Sequence, residues 1–451
     1  MEEKILELLS LKRFGELKTL LSQMNPADIV EYFEVIPEHE LLLVFRILPK
    51  ELAAEVFAYL DGDSQILLIN GFTDKELHDV LDELFVDDTV DIIEEMPASV
   101  VKRMLKQTDA KTRNIINQLL AYSEDSAGSI MTTEYVDLKK SMTVDEAFKR
   151  IRKIGLDTET IYTCYVTDTS RRLLGVVTAK DLLLADYEAK IEDIMDENII
   201  SAVTTDDKES VAMMFDKYDL LAIPIVDTEN RLIGIVTVDD AIDVLQEEAT
   251  EDIEKMAAIL PSDKPYLKTG VLEIFRSRIL WLLILMFSAT FTGMIITSFE
   301  NALAGCVILA AFMPMIMNTG GNSGSQASVT VIRALSLGEV DYKDTFKIVL
   351  KELSVSALCG TVLAVLNFLK MWLLDFTILK TDGLTIEIIF IVCATLLVTV
   401  IIAKLIGCSL PIAANRLGLD PAVMASPFIT TIVDAVSLLI YFCAARALLN
   451  I

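Results

Sequence analysis

Histidine is nearly absent from this sequence, and its cysteines are not arranged to bind metal. The 451 residues include two histidines, His39 and His78, and six cysteines without a C-x-x-C pair. Structural zinc sites and disulfide frameworks require several Cys or His residues at close, recurring spacings. We therefore exclude a zinc centre and a disulfide scaffold. The cysteines, five of which lie in the hydrophobic C-terminal half, are interpreted as small packing residues.

Positive charge is scarce in the first part of the chain. The first 269 residues contain 56 acidic and 28 basic side chains, which accounts for the whole net charge of −28. Residues 270–451 contain 11 of each sign. An acidic surface repels nucleic acids and anionic lipids and attracts cations. A solvated surface explains any single charge, but a surplus of this size beside a hydrophobic segment indicates inorganic cations as ligands and excludes a nucleic-acid partner.

Catalytic motifs are missing from the soluble part. It contains no P-loop, no G-x-S-x-G and no recognisable pair of a nucleophile with a base. This argues against a membrane enzyme controlled by regulatory domains, and we expect no enzymatic activity.

Long hydrophobic segments occur after residue 270. Each is long enough to cross about 30 Å of hydrocarbon as a helix, the fourth by extending into its flanks. The sequence therefore predicts an all-α transmembrane domain with five helices, at residues 279–299, 301–332, 353–374, 388–403 and 421–445. Five spans are few for one transport path, and a homodimer with a two-fold axis would supply ten.

Basic residues fall on one side of these predicted spans. Cytoplasmic loops are enriched in Lys and Arg. The N-terminal half is therefore expected in the cytoplasm and the C-terminus outside, in a multi-pass protein of the cell membrane. The basic residues are Lys264, Lys268, Arg276 and Arg278 before the first span, Arg333, Lys343, Lys347 and Lys351 between the second and third, and Lys404 and Arg416 between the fourth and fifth.

The segment MNTGGNSGSQ, residues 317–326, places small and polar residues in the middle of the second span. Non-helical backbone inside a bilayer is tolerated only where protein or water satisfies it. We expect Gly320, Gly321 and Gly324 to interrupt the helix, so that freed carbonyls and nearby side chains become oxygen ligands along a wet path. The alternative is a seam of small residues against which other helices pack closely. The side chains concerned are Asn318, Asn322, Ser323, Ser325 and Gln326.

Asp434 lies near the centre of the fifth predicted span, which contains no basic residue. An ionisable side chain at this depth costs at least about 2.5 kcal/mol and is by default a functional site. We expect it to contact a transported ion. Two alternatives are an acid that hydrogen-bonds to a neighbouring helix and a proton relay, although a relay usually needs several titratable groups in series.

Carboxylate, amide and carbonyl oxygens without thiolate or imidazole form an environment for hard cations. Mg²⁺ gives up its water reluctantly, so a path for the hydrated ion would contact its waters with such groups. The same oxygens also suit Ca²⁺, Mn²⁺ or Na⁺.

The cytoplasmic half has two different patterns. Residues 1–125 consist of short amphipathic segments with prolines at regular intervals, including Pro26, Pro37 and Pro49, which predicts a small superhelix of stacked helices. Residues 127–250 contain a duplication, in which LLGVVTAKDLL (173–183) matches LIGIVTVDDAI (232–242). Each copy predicts strand, helix, strand, strand, Thr-x-x-Asp and helix. This duplication resembles a tandem of CBS domains, a resemblance that implies an adenine nucleotide, with ATP as the candidate, in the cleft.

Residues 238–260 form a predicted helix with acids at helical spacings. Neighbouring like charges destabilise such a helix unless something neutralises them. Solvent, salt and the helix dipole are one explanation, and divalent cations that bridge the helix to other acidic surfaces are the other. We expect this helix to lead directly into the first span and to couple ion binding to a pore.

The whole chain resembles the bacterial MgtE family of magnesium channels. The resemblance rests on the order of the domains, on MPMIMNTGGNSGSQ, RALSLGEV and LGLDPAVMASPF, and on the aspartate of the fifth span. It implies a homodimer whose pore lies between the transmembrane halves. Asp434 would hold a hydrated Mg²⁺ at the entrance, helped by oxygens around Gly321 and Asn322.

The resemblance also implies regulatory ion sites between the domains. At high Mg²⁺ the bound ions would bridge the acidic domains and close the pore. The implied ligands are Asp88, Asp207, Glu209, Asp219, Asp240, Asp243, Glu248, Glu251 and Asp252, with Asp420 near the connecting helix.

The expected architecture is an α-superhelical domain (1–126), two α/β CBS domains (127–189 and 190–246), an acidic connecting helix (247–269) and the transmembrane domain (270–451). The expected function is a Mg²⁺ channel that imports Mg²⁺ down its electrochemical gradient. One alternative is an ion-coupled carrier of divalent cations such as Co²⁺ or Mn²⁺, which would require a coupling site. The other is a sensor or scaffold whose spans only anchor it, and such an anchor would need neither Asp434 nor the glycine-asparagine block.

Overall fold

The computed structural model describes residues 1–156, 158–262, 266–424 and 426–449, with the side chains of residues 301–303 and 426 also outside the description. The chain divides into two compact units, Met1–Leu245 and Gln246–Ile451. Lys264, one of the basic residues expected before the first span, lies outside the described residues, as does part of the predicted connecting helix.

Ten short helices form the first part of unit one. Prolines occupy the starts of several of them: Pro26 is the first residue of its helix, and Pro37, Pro49 and Pro97 are N-caps. Proline fits there because the first turn needs no intrahelical N–H donor. The prediction of an all-helical segment is confirmed. The helices are α1 Glu2–Ser10, α2 Phe14–Leu21, α3 Pro26–Phe33, α4 Glu38–Ile47, α5 Lys50–Ala58, α6 Gly62–Gly71, α7 Asp74–Leu81, α8 Val86–Glu95, α9 Ala98–Gln107 and α10 Ala110–Leu119.

Two three-stranded sheets follow, and they repeat the same topology. In each, the first strand pairs in parallel with the second, and the second pairs antiparallel with the third. The predicted duplication is confirmed. Its elements are β1 Tyr135–Lys139, α11 Val144–Ile154, β2 Thr160–Thr167, β3 Leu173–Thr178, α12 Ala179–Leu184, α13 Ile191–Ile194, β4 Ala202–Val203, α14 Lys208–Tyr218, β5 Ala222–Val226, β6 Leu232–Thr237 and α15 Val238–Met256.

The described residues of unit two form the end of α15 and six further helices. A 3₁₀ turn at Tyr342–Asp344 precedes α19, a π-helical segment at Met371–Ile378 follows it, and a 3₁₀ turn at Pro421–Met424 precedes α21. The helices are α16 Val271–Ser298, α17 Glu300–Gly305, α18 Ile308–Ser336, α19 Thr345–Lys370, α20 Ile386–Arg416 and α21 Ser426–Leu449.

Among the described residues, four helical segments are long and apolar enough to cross a membrane: Val271–Ser298, Tyr342–Ile378, Ile386–Arg416 and Pro421–Leu449. The remaining predicted span, the second (301–332), corresponds to α18, which has 29 residues. Its glycines, asparagines and serines lower its hydropathy, although its length of about 43 Å exceeds the hydrocarbon thickness. All-helical architecture with four to five apolar helices agrees with the predicted fold class.

The core of unit two lies where α18 packs against α20 and α21. Ile316, Val392 and Phe442 are among its buried residues. The hydroxyl of Tyr441 is also buried and donates to the carbonyl of Leu309 at 3.0 Å. This bond satisfies a polar group that would otherwise be stranded in the apolar interior.

Two expectations about connections are wrong. The acidic helix does not run directly into the first span, because α15 ends at Met256 and α16 begins at Val271. Lys404 does not lie in a loop, because α20 continues to Arg416. Its ammonium is buried and lies 3.8 Å from Glu352 Oε2 on α19. Pairing with an acid explains how a lysine is tolerated at this position.

Candidate cation path and acidic clusters

The glycine-rich block does not interrupt its helix. Helix α18 is continuous from Ile308 to Ser336, so the expectation of freed backbone carbonyls is wrong. In a low-dielectric environment each unpaired backbone group costs several kcal/mol, which exceeds the helix penalty of about 1 kcal/mol for a glycine. The helix is therefore the less costly conformation even with three glycines.

The glycines instead form a seam of small residues against which other helices pack closely, as the alternative interpretation predicted. A β-carbon on Gly320 would lie 2.7 Å from Thr399 Cγ2 and 2.9 Å from Ser437 Oγ. One on Gly324 would lie 3.0 Å from Ile429 Cγ2 and 3.1 Å from the carbonyl oxygen of Ala403. These glycines let α18 approach α20 and α21 at backbone distance.

The same helix presents two of its five expected polar side chains to a cavity of about 670 Å³ between α16, α18 and α21, whereas Ser323, Ser325 and Gln326 do not line it. Asn318, Gly321 and Asn322 line it from α18, at spacings of three and four that share one helical face. Asp434 and Thr430 line it from α21. The remaining lining residues are apolar: Ile296, Ala310, Met313, Pro314 and Met317.

The oxygen-bearing groups of this cavity are close to one another. The amide of Asn322 donates from Nδ2 to Asn318 Oδ1 at 3.1 Å. A β-carbon on Gly321 would lie 3.7 Å from Asp434 Oδ1, so the bare backbone of Gly321 leaves the carboxylate accessible. Six water molecules occupy about 180 Å³ at bulk density, which is well within the cavity volume. The cavity can thus hold a hydrated cation in contact with one carboxylate and two amides.

Thr430 was not predicted as a lining residue. It lies four residues before Asp434 on the same helix, and this spacing places both on one face. Helical spacing from Asp434 was the sequence signal that would have identified it. Its hydroxyl donates to the carbonyl of Pro427 at 2.9 Å.

In unit one, an acidic cluster forms around the start of α8 and the start of α15. We name it the α8–α15 cluster; it comprises Asp87, Asp88, Glu159, Asp239 and Asp240. Asp87 is 8% exposed. The Oδ1 atom of Asp87 and the Oε2 atom of Glu159 are both buried without a hydrogen-bond partner among the described residues. Two orphaned carboxylate oxygens in one cluster are groups that a bound cation would satisfy.

Burial and mutual repulsion raise the pKa values of this cluster. Burial, followed by the charges of Asp240 and Glu159, raises the pKa of Asp87 well above its usual range. Burial and the charge of Asp239 raise the pKa of Asp88 to about 6. Burial raises the pKa of Asp240 to about 6, although a hydrogen bond from Thr237 opposes this. Burial and neighbouring acids raise the pKa of Glu159 to about 8.

The cluster contains two residues predicted as ligands, Asp88 and Asp240, and three that were not, Asp87, Asp239 and Glu159. Nothing in the sequence near Glu159 signalled its role, because the fold brings it to α8 and α15 from the start of β2. Asp243 lies one turn beyond Asp240, and partial burial and the charge of Asp239 raise its pKa.

The predicted residues on α14 are spread along that helix. Asp207 is its N-cap and accepts from Ser210 N at 2.9 Å, Glu209 lies in its first turn, and Asp219 is its C-cap with φ of +52°. A helix of 11 residues is about 16 Å long, so Asp219 and Asp207 do not share an ion within one chain. Within the described ranges, no three His, Cys, Asp or Glu side chains are grouped closely enough to hold a metal ion.

In unit two, the end of α15 contacts the turn before α21. Lys255 Nζ lies 2.6 Å from Glu251 Oε1 and 2.7 Å from Asp420 Oδ2. Asp252 Oδ2 accepts from the hydroxyl of Ser336 at 2.9 Å. Glu248 lies one turn before Glu251 on the same helix. Three predicted residues, Glu251, Asp252 and Asp420, are thus brought together, with a lysine among them that was not predicted.

The carboxylate cavity between apolar helices and the paired CBS-type sheets define a membrane transport protein with regulatory domains. Residues 313–444 match the family model described as MgtE, divalent cation transporter. Residues 24–125 match the MgtE intracellular N domain, and residues 127–188 and 191–247 match CBS domains.

Relatives cover nearly the whole chain. The magnesium transporter MgtE of Thermus thermophilus is 36% identical over 96% of this chain and 95% of the relative. The magnesium transporter MgtE of Bacillus subtilis is 33% identical over 100% of this chain and 98% of the relative. The crystal structure of the cytosolic domain of the Mg²⁺ channel MgtE in complex with ATP is 35% identical, covers 54% of this chain and 100% of that structure, and has a TM-score of 0.52.

The chain belongs to the MgtE family. This confirms the resemblance stated from the sequence and the expected fold class. The relatives carry the names of transporters, so the expectation that the protein is not an enzyme is confirmed as well.

Proposed function

We propose that this protein is a channel that imports Mg²⁺ across the cell membrane down its electrochemical gradient. The observation that carries the proposal is the cavity in which Asp434 faces Gly321 with Asn318 and Asn322 beside it. The names of the two full-length relatives, magnesium transporters, support Mg²⁺ as the transported ion.

The chemistry of the cavity favours a hydrated ion. Mg²⁺ exchanges its waters reluctantly and is bound by few direct protein ligands. One carboxylate and two amides would accept hydrogen bonds from, or donate them to, the waters of the ion. Met313, Met317 and Ile296 surround these groups with apolar side chains, and a low dielectric strengthens the attraction between the carboxylate and the cation.

Closure at high cytoplasmic Mg²⁺ is the second part of the proposal. Without bound cations, the acids of the α8–α15 cluster are buried and repel one another, and both effects raise their pKa values. Bound Mg²⁺ would offset this repulsion and stabilise one arrangement of the cytoplasmic domains. A ligand shifts such an equilibrium only by its difference in affinity between the two states, so several weak sites must act together.

The regulatory ligands remain those of the sequence expectation. Asp88, Asp240 and Asp243 belong to unit one, and Glu251, Asp252 and Asp420 belong to unit two. Asp207, Glu209, Asp219 and Glu248 would take part through surfaces that one chain alone does not complete. We propose a homodimer for this reason and because five helices per chain are few for a complete path. We place the N-terminal half in the cytoplasm and the C-terminus outside.

The CBS pair is a proposed site for ATP. The support is the related structure of an MgtE cytosolic domain, which is a complex with ATP. In each CBS copy the Thr hydroxyl of Thr-x-x-Asp donates to the Asp carboxylate at 2.5 Å, as in Thr178 with Asp181 and Thr237 with Asp240. Asp240 lies in the α8–α15 cluster, whereas Asp181 does not.

An ion-coupled carrier of divalent cations is the alternative. It would require a second titratable or ion-binding group in the membrane. Lys404 and Glu352 are buried within unit two but are opposite in sign and lie 3.8 Å apart, so their charges offset each other. The channel is therefore the better-supported mechanism.

The test is Mg²⁺ flux into liposomes that contain the purified protein. Wild type is compared with Asp434→Asn and, as a control for loss of an acid, Asp344→Asn, a half-exposed acid that pairs with Lys347 and does not line the cavity. We expect flux without Na⁺ or pH gradients, closure as Mg²⁺ rises on the cytoplasmic face, and loss of flux only in Asp434→Asn. Flux that requires an ion gradient would establish a carrier. Normal flux in Asp434→Asn would remove Asp434 from the path.

A further inference from the structure

Lys255 occupies the centre of the acidic group at the end of α15. Its ammonium contacts Glu251 Oε1 and Asp420 Oδ2 at hydrogen-bond distance, 2.6 and 2.7 Å. The other oxygen of Asp420, Oδ1, accepts from the backbone N–H of Ala422 at 2.8 Å. Two carboxylate oxygens from different elements therefore converge on one positively charged atom.

The last turn of α15 is fixed to the rest of unit two by other contacts. Met256 packs against Ile332 and Ala422. Asp252 is hydrogen-bonded to Ser336 at the end of α18. The backbone N–H of Leu260 donates to a carbonyl of α16, that of Ser277, at 3.0 Å. Lys255 is thus one of several contacts that hold the helix end, and its place between two acids calls for a further explanation.

The contact with Glu251 is an ordinary pair at a spacing of four, which contributes little to helix stability. The contact with Asp420 is a tertiary one, because Asp420 belongs to the turn after α20. The ammonium lies at hydrogen-bond distance from two carboxylate oxygens and therefore pairs with them as a positive charge. One positive charge lies among three acids, Glu251, Asp252 and Asp420, so two negative charges of this group are not neutralised by Lys255.

The position of the Lys255 ammonium shows where a divalent cation would bind among these acids. A cation bound between Glu251 Oε1 and Asp420 Oδ2, directly or through its waters, would occupy the space that Nζ occupies. The donor set consists of hard oxygens, as Mg²⁺ requires. Mg²⁺ is often bound by only one or two carboxylates and keeps several of its waters. Glu251 and Asp420 therefore suffice for a water-rich site without a third acid, and the ammonium stands in the place of the ion.

We propose that Lys255 is a tethered competitor of Mg²⁺, an internal cation that holds Glu251 and Asp420 until Mg²⁺ displaces it. This inference rests on the proposed closure of the channel by cytoplasmic Mg²⁺ and names the residue that sets its threshold. Lys255 keeps the acids from repelling one another when Mg²⁺ is scarce. Because Mg²⁺ must displace it, Lys255 raises the Mg²⁺ concentration at which the channel closes.

The alternative role, a clamp, predicts a shift of the Mg²⁺ threshold for closure in the opposite direction. If Lys255 were a clamp that acts together with Mg²⁺, its removal would weaken closure and shift the threshold to higher Mg²⁺. Removal of a competitor shifts the threshold to lower Mg²⁺. The direction of one shift therefore separates the two roles.

The experiment measures amide hydrogen–deuterium exchange in residues 246–262 of the full-length protein in detergent, as MgCl₂ is raised. The variants are Lys255→Met, Lys255→Gln as a second neutral side chain, and Lys255→Arg, which keeps the charge. The control is Lys347→Met, which removes a lysine from an exposed pair with Asp344 in the same unit. Exchange reports the state of the helix end without requiring transport.

We expect wild type to gain protection with a defined Mg²⁺ midpoint. In Lys255→Met and Lys255→Gln the midpoint should fall roughly three- to fivefold, the equivalent of one partly exposed ion pair. Without Mg²⁺, both neutral variants should exchange faster than wild type. Lys255→Arg and Lys347→Met should keep the wild-type midpoint.

The outcomes distinguish this inference from the proposed function. If wild type responds to Mg²⁺ but the neutral variants keep its midpoint or raise it, the tethered competitor is wrong and closure by Mg²⁺ stands. If wild type gains no protection at any Mg²⁺ concentration, closure by Mg²⁺ fails and the competitor fails with it.

Discussion

Gly407 on α20 approaches Gly324 on α18 so closely that a β-carbon on Gly407 would overlap the carbonyl oxygen of Gly324. The backbones of α18 and α20 are therefore in direct contact at this point. Another face of α18 lines the cavity. Position 407 therefore tolerates only glycine, because the atom in the way belongs to the backbone and cannot move aside. The small residues of α18 thus set how closely the helices that carry the path are packed.

This contact gives the first prediction. Gly407→Ala should lower the free energy of unfolding by about 1–3 kcal/mol or more, since it overpacks a helix–helix contact. The measurement is the midpoint of denaturation in detergent. Gly293→Ala is the matched control, because nothing lies within 4 Å of a β-carbon there; it should be neutral or slightly stabilising. Equal stability of the two variants would contradict the close packing.

The α8–α15 cluster gives a prediction on pH. Asp88 and Asp240 have folded pKa values of about 6 and Glu159 of about 8, above the unfolded values of about 4. The folded state therefore binds more protons than the unfolded state between these values, and its stability falls as pH rises through this window. In the presence of EDTA, the unfolding midpoint of unit one should decrease between pH 5 and pH 8 by about 4 °C or more.

Mg²⁺ should restore part of this loss, because it replaces the protons as counter-charge. Asp87→Asn, which removes one buried acid, should flatten the dependence on pH. Differential scanning calorimetry of the full-length protein measures both effects. A midpoint that rises with pH in EDTA would show that these carboxyls are already ionised and stabilised in the folded protein.

Neutralising the proposed regulatory acids should disable closure. The double variant Asp240→Asn, Asp243→Asn should conduct as wild type at low Mg²⁺ and stay open when cytoplasmic Mg²⁺ is high. The physical reason is the loss of charges that bound Mg²⁺ would bridge. Liposome flux against cytoplasmic Mg²⁺ concentration is the measurement.

A control for this variant must remove two negative charges from the same pair of domains. Glu192→Gln, Glu229→Gln does so at positions that form exposed ion pairs with Lys190 and Arg231. It should close normally. Closure of the Asp240, Asp243 variant at the wild-type Mg²⁺ concentration would refute the bridging of domains through these acids.

The buried pair of Lys404 and Glu352 predicts a strong coupling in stability. Their side chains are 7% and 13% exposed. Glu352→Leu should destabilise the protein by about 3 kcal/mol, because it leaves a buried ammonium unpaired. Adding Lys404→Met should recover most of that loss, since two apolar side chains replace the pair. A double variant as unstable as Glu352→Leu would mean that the lysine is solvated.

The fold was largely predictable from the sequence, and the connections within it were not. Helical periodicity, prolines at helix starts and the visible duplication identified the helical domain and the two sheets. The break expected at Gly320 to Gly324 did not occur. A helix satisfies the hydrogen-bonding groups of its own backbone, and a glycine lacks only a side chain, so these bonds can still form. Local sequence indicates helix propensity, whereas the low dielectric around α18 makes unpaired backbone groups so costly that the helix continues.

The site was predictable where one helix defines it. Asp434 stood out because an acid in an apolar helix is costly, and Asn322 with Gly321 came from the resemblance to the MgtE family. Glu159 and Lys255 were not found, because their neighbours come from elements far apart in the chain. Residues that act through tertiary contacts carry no periodic signal of their own.

The hydrogen bond from the backbone of Leu260 to the carbonyl of Ser277 has a consequence for how this protein can vary. A link made of main-chain atoms does not depend on which side chains stand at either position. Mutational scans that replace side chains one at a time would pass over it without effect. Homologous chains can therefore diverge freely at both positions while keeping the mechanical connection, and only a change that removes the amide hydrogen or alters the segment's length would sever it.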